Sequence, residues 1–113
     1  MEPRVAASVL ATALIRKAEG EGGFGAVLAK GDAAAGSILV ILLEKGVNPR
    51  LFERLLQPDG RYAWQESGSQ RIENPNEVPG FIARLRRFDP DSWLIELDIP
   101  SAERFAAEMN TLN

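Results

Sequence analysis

Lys30, Asp32, Asp89 and Asp91 are the residues whose types and spacing come nearest to chemistry in this chain. Lys30-Gly31-Asp32 through Gly36 could cradle an anion on successive backbone amides with a lysine beside it, as glycine-bracketed nests do. The run lacks the lysine-plus-serine signature of a phosphate loop, and a glycine-bracketed hairpin connection accounts for the same residues. Asp89-Pro90-Asp91, followed by Glu96 and Asp98, supplies only oxygen ligands, which suit Mg²⁺ or Ca²⁺ rather than a transition metal. A helix stop and an Asp-Pro-Asp turn account for them equally. Arg84, Arg86 and Arg87 crowd one segment, and arginine's planar fork matches carboxylates, phosphates and base edges. Arg61 and Trp64, with Tyr62 between them, form a candidate interaction surface on a predicted hairpin.

The absences narrow the chemistry further. The 113 residues contain no His and no Cys. Serine–histidine triads, thiolate nucleophiles, histidine-held metals and disulfides cannot be assembled from this chain alone. No catalytic residue and no cofactor is assigned, and the balance leans away from an enzyme. The formal charge of −3 argues against a general nucleic-acid footprint, because the arginine cluster lies in the more acidic half of the chain.

Gly20-Glu21-Gly22-Gly23-Phe24-Gly25-Ala26-Val27 matches the glycine-loop pattern of protein kinases letter for letter. Its context contradicts that reading. The kinase signature requires His-Arg-Asp and Asp-Phe-Gly elements, which are missing. A dinucleotide fingerprint opens a helix, whereas this segment follows one. A helix stop and a tight turn suffice.

The elements that must position these residues follow from periodicity. Val5, Ala6, Val9, Leu10, Ala13 and Leu14 form an apolar stripe, which predicts a helix from Pro3 to about Glu19. Ile15 falls on its polar side, as a stray or a partner contact. The apolar run Val5 to Ile15 vaguely imitates a signal peptide, but Glu2 spoils the basic region and the run is too short to span a bilayer. Phe24 to Lys30 and Ser37 to Lys45 read as strands, the second apolar on both faces and therefore central. Leu51 to Leu56 is either a short helix after Asn48-Pro49 or, preferably, a strand paired with Arg61 to Glu66 across Gln57-Pro58-Asp59-Gly60. Ser67 to Pro75 reads as a surface loop. Asn76 opens a helix with Val78, Phe81, Ile82, Leu85 and Phe88 on one stripe, stopped by Asp89-Pro90. Trp93 to Ile99 alternates as a strand, and Ser101 caps a last short helix with Phe105 and Met109.

The fold expected is a single α+β domain over residues 1–113: a largely antiparallel sheet of about five strands, with an N-terminal, a central and a short C-terminal helix packed on it.

Three passages together carry a resemblance: Gly23-Phe24 into Val27-Leu28; the Gly31-Asp32-Ala33-Ala34-Ala35-Gly36 loop; and Arg87-Phe88-Asp89-Pro90-Asp91-Ser92-Trp93. They resemble an alphaproteobacterial family known as domain of unknown function 1491, with Arg61-x-x-Trp64 in support. The resemblance runs from the first helix to about Ile99. It implies no established activity, substrate, cofactor or catalytic residue. The resulting expectation is a cytoplasmic binding protein that forms a homodimer, engaging an unidentified protein or a small polar ligand, with no membrane association. The alternatives are a ligand site for a small polar or phosphorylated molecule, with or without Mg²⁺, near Lys30, Asp32, Arg87, Asp89 and Asp91, and nucleic-acid binding through the Arg84–Arg87 helix.

Overall fold

The computed structural model describes residues 6–67 and 72–110. Helix α1 (Ala7–Gly20) leads into strand β1 (Phe24–Ala29), followed by β2 (Ile38–Glu44), β3 (Val47–Leu56) and β4 (Tyr62–Glu66). A single 3₁₀ turn (Pro75–Glu77) opens α2 (Val78–Phe88), and β5 (Trp93–Ile99) and α3 (Ala102–Met109) complete the chain. The fold is α+β, with five strands in the order β1-β5-β2-β3-β4.

That order bears out five strands in a largely antiparallel sheet, with one departure. The pairs β1/β5, β2/β3 and β3/β4 are antiparallel, but β2 and β5 run parallel, Ile38 beside Trp93 through Glu44 beside Ile99. The sheet is mixed. It also means that the Gly31–Gly36 segment is no hairpin: β5 stands between β1 and β2, so the segment crosses the end of β5. β2 and β5 both carry large apolar residues on both of their faces, and the centre of the sheet is where those can be covered on both sides.

Alternation divides the core in two. Ile38, Val40 and Leu42, with Trp93, Ile95, Leu97 and Ile99, face α1 and α3, where Leu10, Leu14, Phe105 and Met109 cover them. Leu39, Ile41, Leu51 and Leu94 face the other way, beneath Val78 and Phe81 of α2. Ile72 joins this second cluster, so the polar stretch around it is anchored by a buried side chain rather than lying wholly on the surface as expected; residues 68–71 of that stretch lie outside the described ones. Ile15 is also core rather than a stray: it packs against the first cluster, and the space above Gly25 is filled by Ile15 and Leu97.

Local chemistry sets the connections. The β2–β3 turn is tight, with Lys45 and Gly46 both at positive φ, and it falls earlier than the Gly46-to-Pro49 turn expected. The Leu51–Leu56 segment is a strand. Its hairpin turn is closed by Gly60 at positive φ and by Asp59, which accepts from the Arg61 amide at 2.9 Å. Asn74 and Glu77 form a capping box ahead of α2. Lys17 bridges Glu21 and Glu108 at 3.0 and 2.6 Å, fastening α1 to α3. The hydrogen bonds to Glu108 and then Glu21 raise the lysine above its ordinary value. The same bond to Lys17 holds the Glu108 carboxyl below its own.

Candidate functional site: a cleft between helix and sheet

The two most distinctive motifs of the chain are locked into each other. The Asp32 carboxylate accepts from the amides of Ala34 and Ala35 at 3.1 and 2.8 Å. The Asp32 amide donates to the Asp91 carbonyl at 2.9 Å, and its carbonyl accepts from the Trp93 indole at 2.7 Å. The carbonyls of Ala33 and Ala34 in turn accept from Ser8 and Ala7, the first amides of α1. Gly31 and Gly36 must lack side chains: a Cβ at either would stand 2.1 or 2.2 Å from the Asp91 carbonyl oxygen. The segment therefore caps α1, braces the turn after α2 and seats Trp93.

This arrangement decides how the singled-out residues can act. The amides of Asp32, Ala34, Ala35 and Gly36 all donate within the protein, so the loop does not present them as a nest for an anion. Lys30 is exposed, and its carbonyl accepts from Arg86 at 3.4 Å. Asp89 ends α2, while Asp91 is exposed and contributes its backbone to the lock. Among the described residues, no three carboxylates gather where they could hold a metal ion. Arg87 and Arg61 are exposed. Trp64 is 6% exposed and belongs to the core beneath α1 and α3, so it does not serve as a surface contact. It faces inward because Arg54, its cross-strand partner, follows Phe52 at the two-residue interval that places both on the helix-covered face.

Of the residues singled out from the sequence, Arg84 and Asp89 line a cleft of about 660 Å³. One wall is the flank of α2 (Phe81, Arg84, Leu85, Phe88). The other is β3 (Glu53, Arg54, Leu55), and Ser37, Ile38, Leu39 and Ser92 lie between. The cleft exists because α2 is too narrow to cover its face of the sheet. It covers Leu51 of β3 but leaves the same face of that strand open further along, at Glu53 and Leu55. Leu55 is therefore 40% exposed and Phe88 78% exposed, although Phe88 continues the apolar stripe that the sequence places in the core. Ser92 is 3% exposed, and its hydroxyl has no hydrogen-bond partner among the described residues. A buried, unpartnered hydroxyl costs roughly 1–3 kcal/mol, and such groups call for an explanation. Arg84, Glu53 and Asp89 line the same cleft and are in no ion pair among the described residues.

The sequence reading missed Ser92, Ser37, Glu53, Leu55 and Phe88 as a group. One signal was available for Ser92. It precedes Trp93, which faces α1 and α3, so alternation turns Ser92 toward α2.

The molecule is thus a mixed α+β sandwich with a partly covered sheet face and an amphipathic cleft at its edge. Residues 5–107 match the sequence model of the family described as "Protein of unknown function (DUF1491)", and the chain belongs to that family. It is similar to a DUF1491 family protein from Caulobacter crescentus CB15 in two structures. The crystal structure has 31% identity, covers 90% of this chain and 94% of that one, and gives a TM-score of 0.76. The NMR structure has 30% identity, covers 92% and 94%, and gives a TM-score of 0.74. It is also similar to a protein from A. tumefaciens solved in solution, at 25% identity over 91% of this chain and 92% of that one, with a TM-score of 0.72. No curated protein matches the chain. No helix among the described residues is long and apolar enough to cross a membrane.

Proposed function

We propose that this protein works by recognition, and that the cleft between α2 and β3 is where it binds a small amphipathic molecule. The observation that carries the reading is the buried Ser92 hydroxyl, unpartnered in the wall of a cleft of about 660 Å³. That volume lies in the range of small-molecule sites, which combine an apolar lining with a few placed polar groups. Ile38, Leu39, Leu55, Phe81, Leu85 and Phe88 supply the lining; Ser37, Glu53, Arg54, Arg84, Asp89 and Ser92 supply the polar groups. The setting is the cytoplasm, consistent with a chain that carries no cysteine. The test is a fragment screen read by amide chemical shifts of the isotope-labelled protein. Hits should perturb a contiguous set that includes Leu55, Leu85, Phe88 and Ser92. A screen in which no fragment perturbs that set refutes the reading.

A second reading, homodimerisation, is favoured by β1. This strand ends the sheet, carries no charged residue in its six positions, and exposes Phe24 and Val27. Edge strands that must stay single are ordinarily blunted by charge or proline. Light scattering should give twice the mass of the chain at micromolar concentration, and Ala26→Lys should return it to the monomer mass. A monomer mass for the unmodified protein refutes this reading.

A further inference from the structure

We infer that β1 pairs with β1 of a second copy in one register, antiparallel about a twofold axis at Ala26, with Gly25 of each strand opposite Val27 of the other. The inference rests on the homodimer reading and adds the register of its interface. It begins with the backbone groups that β1 leaves free. In a strand the N–H and C=O of one residue point to the same side, and successive residues alternate. On β5 the Trp93 amide donates to the Ser37 carbonyl at 2.7 Å, and the Ile99 carbonyl accepts from Lys45 at 3.2 Å. Trp93, Ile95, Leu97 and Ile99 therefore turn their backbone groups toward β2. Glu96 and Asp98 turn theirs the other way, toward Ala26 and Phe24 of β1. The N–H and C=O groups of Gly25 and Val27 are left pointing out from the edge of the sheet.

The neighbouring registers fail. Gly23, the outward position before Gly25, already donates its amide to the Ala18 carbonyl at 2.9 Å. Past Val27 the pairing with β5 shifts by a bulge, and Ala29 beyond it is buried. Two outward residues flanking one inward residue remain. A twofold axis at Ala26 lets each Gly25–Val27 pair exchange two hydrogen bonds, which satisfies both residues in both copies. The side chains agree with this register. On the α1 face, Val27 of the second copy lands over Gly25, beside Ile15, where no side chain of β1 stands. On the α2 face the exposed Phe24 ring comes beside Leu28 of the second copy, and two small Ala26 side chains meet at the axis. The opposite edge does not compete as a partner. In β4 the Trp64 amide donates to the Asn110 side chain at 2.8 Å, and the strand carries a glutamate.

The chain has no cysteine, so single-cysteine variants of the full chain report the register directly. Ala26 is exposed, and in this register it opposes its twin as a non-hydrogen-bonded pair. Such pairs stand about 4.5 Å apart at Cα, inside the range a disulfide spans. Ala26→Cys should therefore give a covalent dimer on a non-reducing gel after oxidation with copper phenanthroline. Phe24→Cys should not, because position 24 lies about 13 Å along the strand from its twin. A second measurement does not depend on cysteine. By NMR hydrogen exchange, the Gly25 and Val27 amides of the unmodified protein should be protected roughly tenfold or more over those of Ala26→Lys, while the Phe24 and Ala26 positions, bonded to β5, stay protected in both. If light scattering gives a dimer but Phe24→Cys crosslinks as readily as Ala26→Cys, or the Gly25 and Val27 amides exchange freely, the register is overturned and the homodimer stands. A monomer mass for the unmodified protein overturns both.

Discussion

Replacing Gly31 with alanine tests the interlock between the Gly-Asp-Ala-Ala-Ala-Gly segment and the Asp-Pro-Asp-Ser-Trp turn. The added Cβ would stand 2.1 Å from the Asp91 carbonyl oxygen and 2.6 Å from two neighbouring backbone carbons. No flexible side chain can yield; one backbone segment must retreat by roughly an ångström to restore ordinary contact. That movement stretches the Asp32 amide to Asp91 carbonyl bond, 2.9 Å, and the Trp93 indole to Asp32 carbonyl bond, 2.7 Å. Two hydrogen bonds at about 1 kcal/mol each, plus overpacking of about 1–3 kcal/mol, oppose a gain of about 0.4–1 kcal/mol from a stiffer unfolded chain. The net cost is about 2–4 kcal/mol. With a urea slope of about 2 kcal/mol per molar, the unfolding midpoint followed by tryptophan fluorescence should fall by about 1–2 M. Gly20→Ala is the internal control. Nothing lies within 4 Å of its Cβ position, and Gly20 is the last residue of α1, so the change should be neutral or stabilising by up to about 1 kcal/mol. A Gly31→Ala midpoint equal to that of Gly20→Ala would refute the interlock.

Other perturbations read other parts of the molecule. Lys17→Met removes the bridge from α1 to Glu21 and Glu108. Glu108 titrates below its ordinary value in the folded protein, so its contribution is present above the ordinary carboxylate range and is lost as pH falls through it. Lys17 is raised, so its contribution is present below the ordinary lysine range and is lost as pH rises through and beyond it. The stability difference between wild type and variant should therefore be greatest near neutrality and shrink at both extremes in pH-resolved unfolding; a difference that does not change with pH refutes the assignment. Phe105→Ala empties a fully buried site between α3 and the sheet and should cost about 3–5 kcal/mol by urea unfolding. Ser92→Ala, without ligand, removes an unpartnered buried hydroxyl and should leave stability unchanged or raise it by up to about 1 kcal/mol in the same assay. Loss of stability there would mean that the hydroxyl is satisfied in solution.

The elements were legible where one local rule decides them. The apolar run Ile38 to Leu43 could only be a central strand, and Pro58-Asp59-Gly60 could only be a turn. The order of the strands was not legible, because it depends on a long-range choice. Once β5 enters beside β2 in parallel, β1 is displaced and the glycine-bracketed segment becomes a crossing instead of a hairpin. Trp64 and Phe88 were misread for opposite reasons. Trp64 lies on an edge strand, but its face is covered by helices; Phe88 lies on an apolar stripe, but its turn of helix overhangs bare sheet. In both cases the side chain's fate is set by the extent of a neighbouring element, which periodicity does not encode.

The same distinction separates the motifs from the cleft. Gly31, Asp32, Gly36, Asp91 and Trp93, which lie in the passages that carry the resemblance, spend their hydrogen bonds and their missing side chains on one another. They fix where α2 stops and where β5 begins, and so place Asp89 and Ser92 at one end of the cleft. The cleft's remaining lining comes from β2, β3 and the flank of α2, and of it only Phe88 belongs to those motifs. Changes at Glu53, Leu55 or Phe88 can therefore alter what is bound without disturbing the scaffold, whereas changes at Gly31 or Asp32 act on stability first. A Phe88→Ala variant separates the two effects. Because the ring is largely exposed, its loss should cost little stability and should weaken any ligand held in the cleft. An unfolding midpoint lowered as far as that of Phe105→Ala would place Phe88 in the core of the folded protein and close the cleft as a site.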